Sequence, residues 1–171
     1  MLFELYALRH AKSAWPIGVT DLRRPLAKRG IRNAGRLGAW LVECDVRPDL
    51  VVVSPALRTR QTVDLVAEAA GFLPPAQVDD RLYGASWGDV LDVVRQTPAS
   101  VKRLMIVGHN PSLEDLAAQL AGPDSDIDAV SALRTKFPTC ALAHLRSESD
   151  WPHWGSGQAE LSLLHTPRTQ S

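Results

Sequence analysis

Two cysteines in 171 residues, Cys44 and Cys140, are too few for a disulfide framework and share no metal-ligand spacing. They read as small apolar core residues of a reducing compartment, which points to the cytoplasm. An excess of either charge is also lacking: Lys plus Arg and Asp plus Glu each total 19. That balance removes the global field that gathers nucleic acid or anionic lipid, so neither nucleic acid nor a membrane is expected as a partner. No apolar run approaches the roughly 20 residues a membrane helix needs. No basic stretch precedes the first apolar run and Glu4 interrupts it, so no secretory signal is expected. Internal repeats and low-complexity tracts are missing too. What is there is a chain 45% hydrophobic and 22% charged, long enough for one domain with a sizeable core over residues 1–171.

Three short apolar runs each end in groups suited to an anion. Leu2 to Leu8 runs into Arg9-His10, Leu50 to Val53 into Ser54-Pro55-Ala56-Leu57-Arg58, and Leu104 to Val107 into Gly108-His109-Asn110-Pro111. Helical periods separate them. Lys28 to Cys44 carries Ile31, Ala34, Leu37, Leu41 and Val42 near one face. Ser54-Pro55 reads as a helix start, with Ser as N-cap and Pro at the first helical position. That helix continues through Leu57, Gln61, Leu65 and Val66 to a stop at Gly71. Asn110-Pro111 repeats the device before Leu113, Leu116, Ala117 and Leu120, with Gly122 as the stop. Lys12 to Pro25 is a turn-rich surface loop, and Pro123 to Ala129 an acidic loop or short lid. The runs Cys140 to Leu145 and Ala159 to Leu164 predict a hairpin or paired edge strands, and Thr166 to Ser171 a frayed tail. Strands alternating with helices predict an α/β protein with a mostly parallel sheet covered by helices.

In such sheets ligands bind beyond the carboxyl ends of the strands, where helix starts offer free N–H groups and positive potential. Phosphoryl transfer needs a nucleophile, donors for the phosphoryl oxygens and a stabilised leaving group. A neutral His10 can attack phosphorus and form a phosphohistidine. Arg9 and Arg58 can grip phosphate oxygens through planar forks, and a protonated His109 can add a further donor. Each has a duller explanation: an Arg-His pair arises by chance, Arg58 could pair with Asp64 or Glu68 on a helix surface, and His109 could satisfy backbone groups. Convergence at three strand ends favours the chemical reading.

The segments Leu8-Arg9-His10-Ala11-Lys12-Ser13, Arg24-Pro25-Leu26-Ala27-Lys28-Arg29-Gly30, Ser54 to Thr62 and Val107-Gly108-His109-Asn110-Pro111 resemble the histidine phosphatase (phosphoglycerate mutase-like) superfamily. More narrowly they resemble its SixA branch of phosphohistidine phosphatases, as do Asp80 to Ala85 and Lys136-Phe137-Pro138-Thr139. The resemblance implies a three-layer α/β/α sandwich and a ping-pong mechanism without metal or other cofactor. It implies His10 as nucleophile and a phosphate pocket of Arg9, Arg58 and His109, with Lys12 and Ser13 as further contacts. The departure is at the general acid. Larger members carry a Glu there, whereas Tyr83-Gly84-Ala85-Ser86-Trp87-Gly88-Asp89 has none. Asp89 or Asp80 could serve, although a helix cap and a turn residue are their duller roles. A missing acid handicaps cleavage of stable phosphate esters more than cleavage of phosphohistidine, whose imidazole can leave neutral. The expected substrate is therefore a phosphohistidine-bearing protein. A small phosphomonoester, or phosphate binding without turnover, is the alternative.

The remaining features receive structural readings. His144, His153 and His165 show no ligand spacing. Trp151 and Trp154 pack around a turn. Arg23, Arg24, Lys28, Arg29 and Arg32 form a solvated basic face that could meet an acidic partner. Asp124, Asp126 and Asp128 lack the glycine and terminal glutamate of a calcium loop.

Overall fold

Successive side chains of a strand point to opposite faces, so an apolar run with no polar alternation must be covered on both sides. In the computed structural model, β1 (Phe3–Arg9) does this, sending Leu5 and Ala7 into one core and Tyr6 and Leu8 into the other. The strands β2 (Leu50–Val53) and β4 (Arg103–Gly108) divide likewise: Val52, Leu104 and Ile106 on one side, Val51, Val53, Met105 and Val107 on the other. With β3 (Gln77–Val78), β5 (Leu142–Ser147) and β6 (Glu160–His165) they form one sheet in the order β3-β2-β4-β1-β5-β6. β1 to β4 run parallel, while β5 is antiparallel to β1 and β6 to β5. The expected paired strands near the C-terminus are thus β5 and β6, with β6 at the edge. Residues 1–167 are described; the rest of the tail expected from Thr166 lies outside them.

Helices α1 (Lys28–Glu43) and α2 (Leu57–Ala70) cover one face. Helices α3 (Trp87–Arg95), α4 (Ser112–Leu120) and α5 (Ile127–Thr135) cover the other. The three-layer α/β/α architecture is as the resemblance implied.

Several local expectations change. Of the two cysteines read as core residues, Cys140 is buried but Cys44 is exposed. In α1, Ile31 and Val42 are exposed, and the buried face is Ala34, Leu37 and Leu41 with Gly30 and Gly38. Gly30 is there because a Cβ would lie 2.2 Å from the carbonyl oxygen of Lys12, so the first turn presses on the backbone that follows His10. α2 begins at Leu57, not Pro55, and Ser54 is not its cap. The Ser54 hydroxyl instead accepts from the Ala56 N–H at 3.3 Å and meets His109 at 2.8 Å. The inward face of α2 is Thr59, Thr62, Val63, Val66 and Ala70 rather than Leu57, Gln61 and Leu65. Its threonines can be buried because their hydroxyls donate to the carbonyls of Ser54, Ala56 and Arg58. Gly71, at φ 80°, ends the helix as expected. α4 starts at Ser112, after a cis Asn110–Pro111 bond. The acidic loop expected over Pro123 to Ala129 stops at Asp126, whose carboxylate accepts from the Ala129 N–H and caps α5. Trp151 and Trp154 are buried, their indole N–H groups donating to the carbonyls of Val101 and Ser149.

Register fixes the place of any site. Arg9 pairs with Gly108, and Val53 with Val107, so the three strands end together. Two bonds extend the ladder beyond the ends: His10 N–H to the Gly108 carbonyl at 3.0 Å and Ser54 N–H to the Val107 carbonyl at 3.1 Å.

Candidate active site

A cavity of about 490 Å³ opens above those strand ends. Arg9, His10, Lys12, Ser13, Arg58 and His109 all line it, which brings together the nucleophile and phosphate contacts read from the sequence. Neither Asp80 nor Asp89 does. Asp89 accepts from the backbone N–H of Ser86 at 2.9 Å in a capping box at the exposed start of α3, which holds it as a carboxylate. Asp80 heads a short 3-10 turn, Asp80–Leu82. Their helix-cap and turn roles are the ones the geometry displays.

His10 is 7% exposed. Its Nδ1 lies 2.7 Å from the carbonyl oxygen of Ala11. A carbonyl can only accept, so Nδ1 carries the proton and Nε2 keeps a free lone pair. Burial pushes this imidazole down to about 3, so it is neutral across the physiological range. The backbone behind it is fixed by the Ala11 N–H, which donates to the Thr62 hydroxyl at 3.0 Å.

His109 stands beside it, with ring centroids 5.3 Å apart. Burial, and then the charge of Arg58, push His109 down to about 4. The expected protonated donor is therefore a neutral ring in the ligand-free protein. Its Nε2 meets the Ser54 hydroxyl at 2.8 Å. That hydroxyl also accepts from Ala56; in the tautomer whose Nε2 accepts the Ser54 proton, Nδ1–H is the donor for a ligand.

Both guanidinium groups are held from behind. Arg9 donates through Nη1 to the Phe137 carbonyl at 2.9 Å, which Asn110 Nδ2 also reaches at 3.1 Å. Arg58 is buried, contrary to the surface pairing with Asp64 or Glu68 considered for it. Its Nη1 donates to the Asp21 carbonyl at 2.7 Å and its Nη2 to the Asp21 carboxylate at 3.1 Å. Among the described residues, only Arg9 Nε and Arg58 Nε are buried side-chain polar atoms with no acceptor. Such a donor costs about 1–3 kcal/mol. Both atoms belong to residues that line this one cavity, so the unmet donor capacity of the described residues is concentrated beside it.

Sequence reasoning missed Asp21 and Tyr83, and misplaced Arg24. Asp21 lies in the loop Lys12 to Pro25, where nothing but turn formers was visible. Its carboxylate accepts from Tyr83 Oη at 2.6 Å, Arg58 Nη2 at 3.1 Å and Arg24 Nη1 at 3.1 Å. Those bonds, that of Tyr83 foremost, hold it down at about 2. Arg24 was read as part of a solvated face, yet it is 8% exposed. It donates to Ser13 Oγ at 2.6 Å and to the Ala14 carbonyl at 3.1 Å, beneath the exposed ring of Trp15. The available signal was its place in the segment Arg24 to Gly30, one of those carrying the resemblance. The described residues contain no group of three or more His, Cys, Asp or Glu side chains able to hold a metal ion.

Comparison with known proteins agrees with this architecture. Residues 5–104 match the family described as the histidine phosphatase superfamily (branch 1). The chain is 40% identical over 162 residues to an uncharacterized protein of Mycobacterium tuberculosis, covering 94% of this chain and all of that one. It is 26% identical over 119 residues to phosphohistidine phosphatase SixA of Escherichia coli, covering 68% of this chain and 73% of that protein. A solved structure from Nakamurella multipartitia, assigned to the SixA phosphohistidine phosphatases, superposes with a TM-score of 0.85 at 30% identity, over 98% of this chain and 97% of the other. With residues 5–104, more than half of this chain, matched to the family, the chain belongs to the histidine phosphatase superfamily and is SixA-like in fold.

Proposed function

We propose that this chain is a cytoplasmic phosphatase, one domain over residues 1–171, that removes phosphate from phosphohistidine in proteins without metal or cofactor. The observation that carries the reading is the His10 tautomer: Nδ1 bonded to Ala11, and Nε2 bare beside Arg9, Arg58 and His109. In the first step Nε2 attacks phosphorus and the P–N bond of the substrate breaks. The departing imidazole, protonated from solvent on its far nitrogen, leaves neutral. In the second step water attacks phosphorus and loses a proton to solvent as the bond to Nε2 breaks, releasing orthophosphate and restoring His10 with its Nδ1 proton in place. Arg9 and Arg58 bind the equatorial oxygens, His109 donates through Nδ1–H, and Ser13 and Lys12 add contacts at the floor and rim.

Two features support phosphohistidine over a phosphate ester. No carboxyl lining the cavity retains a proton near neutral pH, since Asp21 is held near 2. The rim carries an exposed aromatic side chain, Trp15 at 75%, suited to a macromolecular surface. The free thiols Cys44 and Cys140 accord with a reducing compartment. A small phosphomonoester is the second reading, favoured by a cavity volume within the range of small-molecule sites.

The test combines trapping with a release panel. Wild type is expected to take up label from a phosphodonor in acid-labile, base-stable form, and His10→Ala to lose it. Phosphate release should be faster from phosphohistidine protein than from alkyl phosphates. Neither label nor release in wild type would leave a phosphate-binding module. Rapid turnover of an alkyl phosphate with phosphohistidine protein ignored would leave the metabolite phosphatase.

A further inference from the structure

Beside the active site runs a second cleft, of about 660 Å³, that shares Arg9, Lys12 and Thr139 with it. Its other cations are Arg29, Arg32 and Arg36, spaced on one face of α1, and Lys136 just past α5. Among the described residues no carboxylate lines it. Except for Arg9, these side chains are exposed, and none of them is in an ion pair with another described residue.

A chain of zero formal charge that gathers six cations along one cleft, none ion-paired with a described residue, has made a local positive field, and has made it next to its nucleophile. A cleft of one sign focuses field lines and raises the local concentration of an oppositely charged ligand. Nucleic acid is the poorer occupant, because no aromatic side chain lines the cleft for a base to stack on. We propose that this cleft is the docking track for the acidic surface surrounding the phosphohistidine of the protein substrate, so that carboxylates beside the target residue select it. The inference rests on the phosphohistidine reading above and adds the partner's chemistry: a protein acidic around its phosphorylated histidine.

The experiment uses two phosphohistidine peptides differing only in flanking glutamates or glutamines, with phosphoramidate as the small substrate. At low salt wild type should prefer the glutamate-flanked peptide on the order of tenfold in kcat/KM, through KM, the low end of electrostatic focusing. Salt should erode that preference. The double variant Arg32→Glu, Arg36→Glu should lose it, and Arg32→Lys, Arg36→Lys should keep it. All should reach the same kcat with phosphoramidate, since neither arginine lines the active-site cavity. A preference absent from wild type, or surviving charge reversal, overturns the docking track alone. So does single-stranded DNA displacing the glutamate-flanked peptide. Consumption of phosphoramidate with neither peptide turned over overturns the phosphohistidine-protein reading and this inference with it.

Discussion

Stability between pH 6.5 and 4 should be governed by the two active-site imidazoles. His10 is pushed down to about 3 and His109 to about 4, burial leading in both. An unfolded histidine titrates near 6.5, so on acidification the unfolded chain takes up protons that the folded chain refuses. A depressed imidazole therefore costs no stability above about pH 6.5, and an increasing amount below it. At full differential the slope is about 1.4 kcal/mol per pH unit for each group, so by pH 5 each costs about 2 kcal/mol and the pair about 4. Against a typical 5–15 kcal/mol in total, that is a large share. His144 and His165 are lowered too and act with the same sign. The depressed carboxylates Asp21, Asp79, Asp89 and Glu160 also lose stability as pH falls, but nearer and below the ordinary carboxylate range. The assay is urea unfolding in phosphate-free buffer at pH 7.5 and pH 5 for wild type, His10→Gln and His109→Gln. Each substitution should shrink the loss between the two pH values by about 2 kcal/mol. An undiminished loss in both variants would refute the assignment of buried, neutral imidazoles.

Asp21→Asn should tighten orthophosphate inhibition, because the carboxylate competes with phosphate for Arg58 and Arg24. Two partly exposed pairs at roughly 0.2–1 kcal/mol each give about a two- to thirtyfold fall in the inhibition constant, and weaker inhibition would count against it. Arg58→Lys should lower kcat on the order of 10²–10³, since a point charge cannot replace a fork already anchored on Asp21; steady-state rates with phosphoramidate decide it. Asp89→Asn should leave turnover of every substrate within about twofold, as its carboxylate serves Ser86; a selective loss on alkyl phosphates would return it to the role of acid.

The strands were legible because β1, β2 and β4 are covered on both faces and carry no charged side chain between Leu5 and Leu8, Val51 and Val53, or Leu104 and Val107. Helix ends were legible where one residue settles them, as Gly71 does by its positive φ. They were illegible where a side chain has a better partner elsewhere. Ser54 satisfies every rule for an N-cap, yet it sits on the last rung of the ladder and serves His109. The same limit applies to the site. His10, Arg9, Arg58 and His109 lie within a few residues of strand ends, so a strand assignment places them. Asp21 and Tyr83, 62 positions apart, meet only through the path of two loops, which no local periodicity encodes.

That long-range contact bears on the unresolved acid. An enzyme acid for an alkoxide must keep its proton near neutral pH, which requires burial away from cations or beside another carboxylate. The one carboxylate lining this cavity has the opposite surroundings: a phenol and two guanidinium groups, all donating to it. Asp89 is likewise held ionised, by Ser86, and lies outside. Charge arranged this way stabilises an incoming phosphoryl group and supplies no proton to what leaves. A substrate whose leaving nitrogen is protonated by solvent loses little from the arrangement, whereas an alkyl phosphate loses the several powers of ten that general acid catalysis contributes. The selectivity expected between them follows from the ionisation of Asp21. It should narrow in any variant that leaves a carboxyl group in the cavity without those three donors.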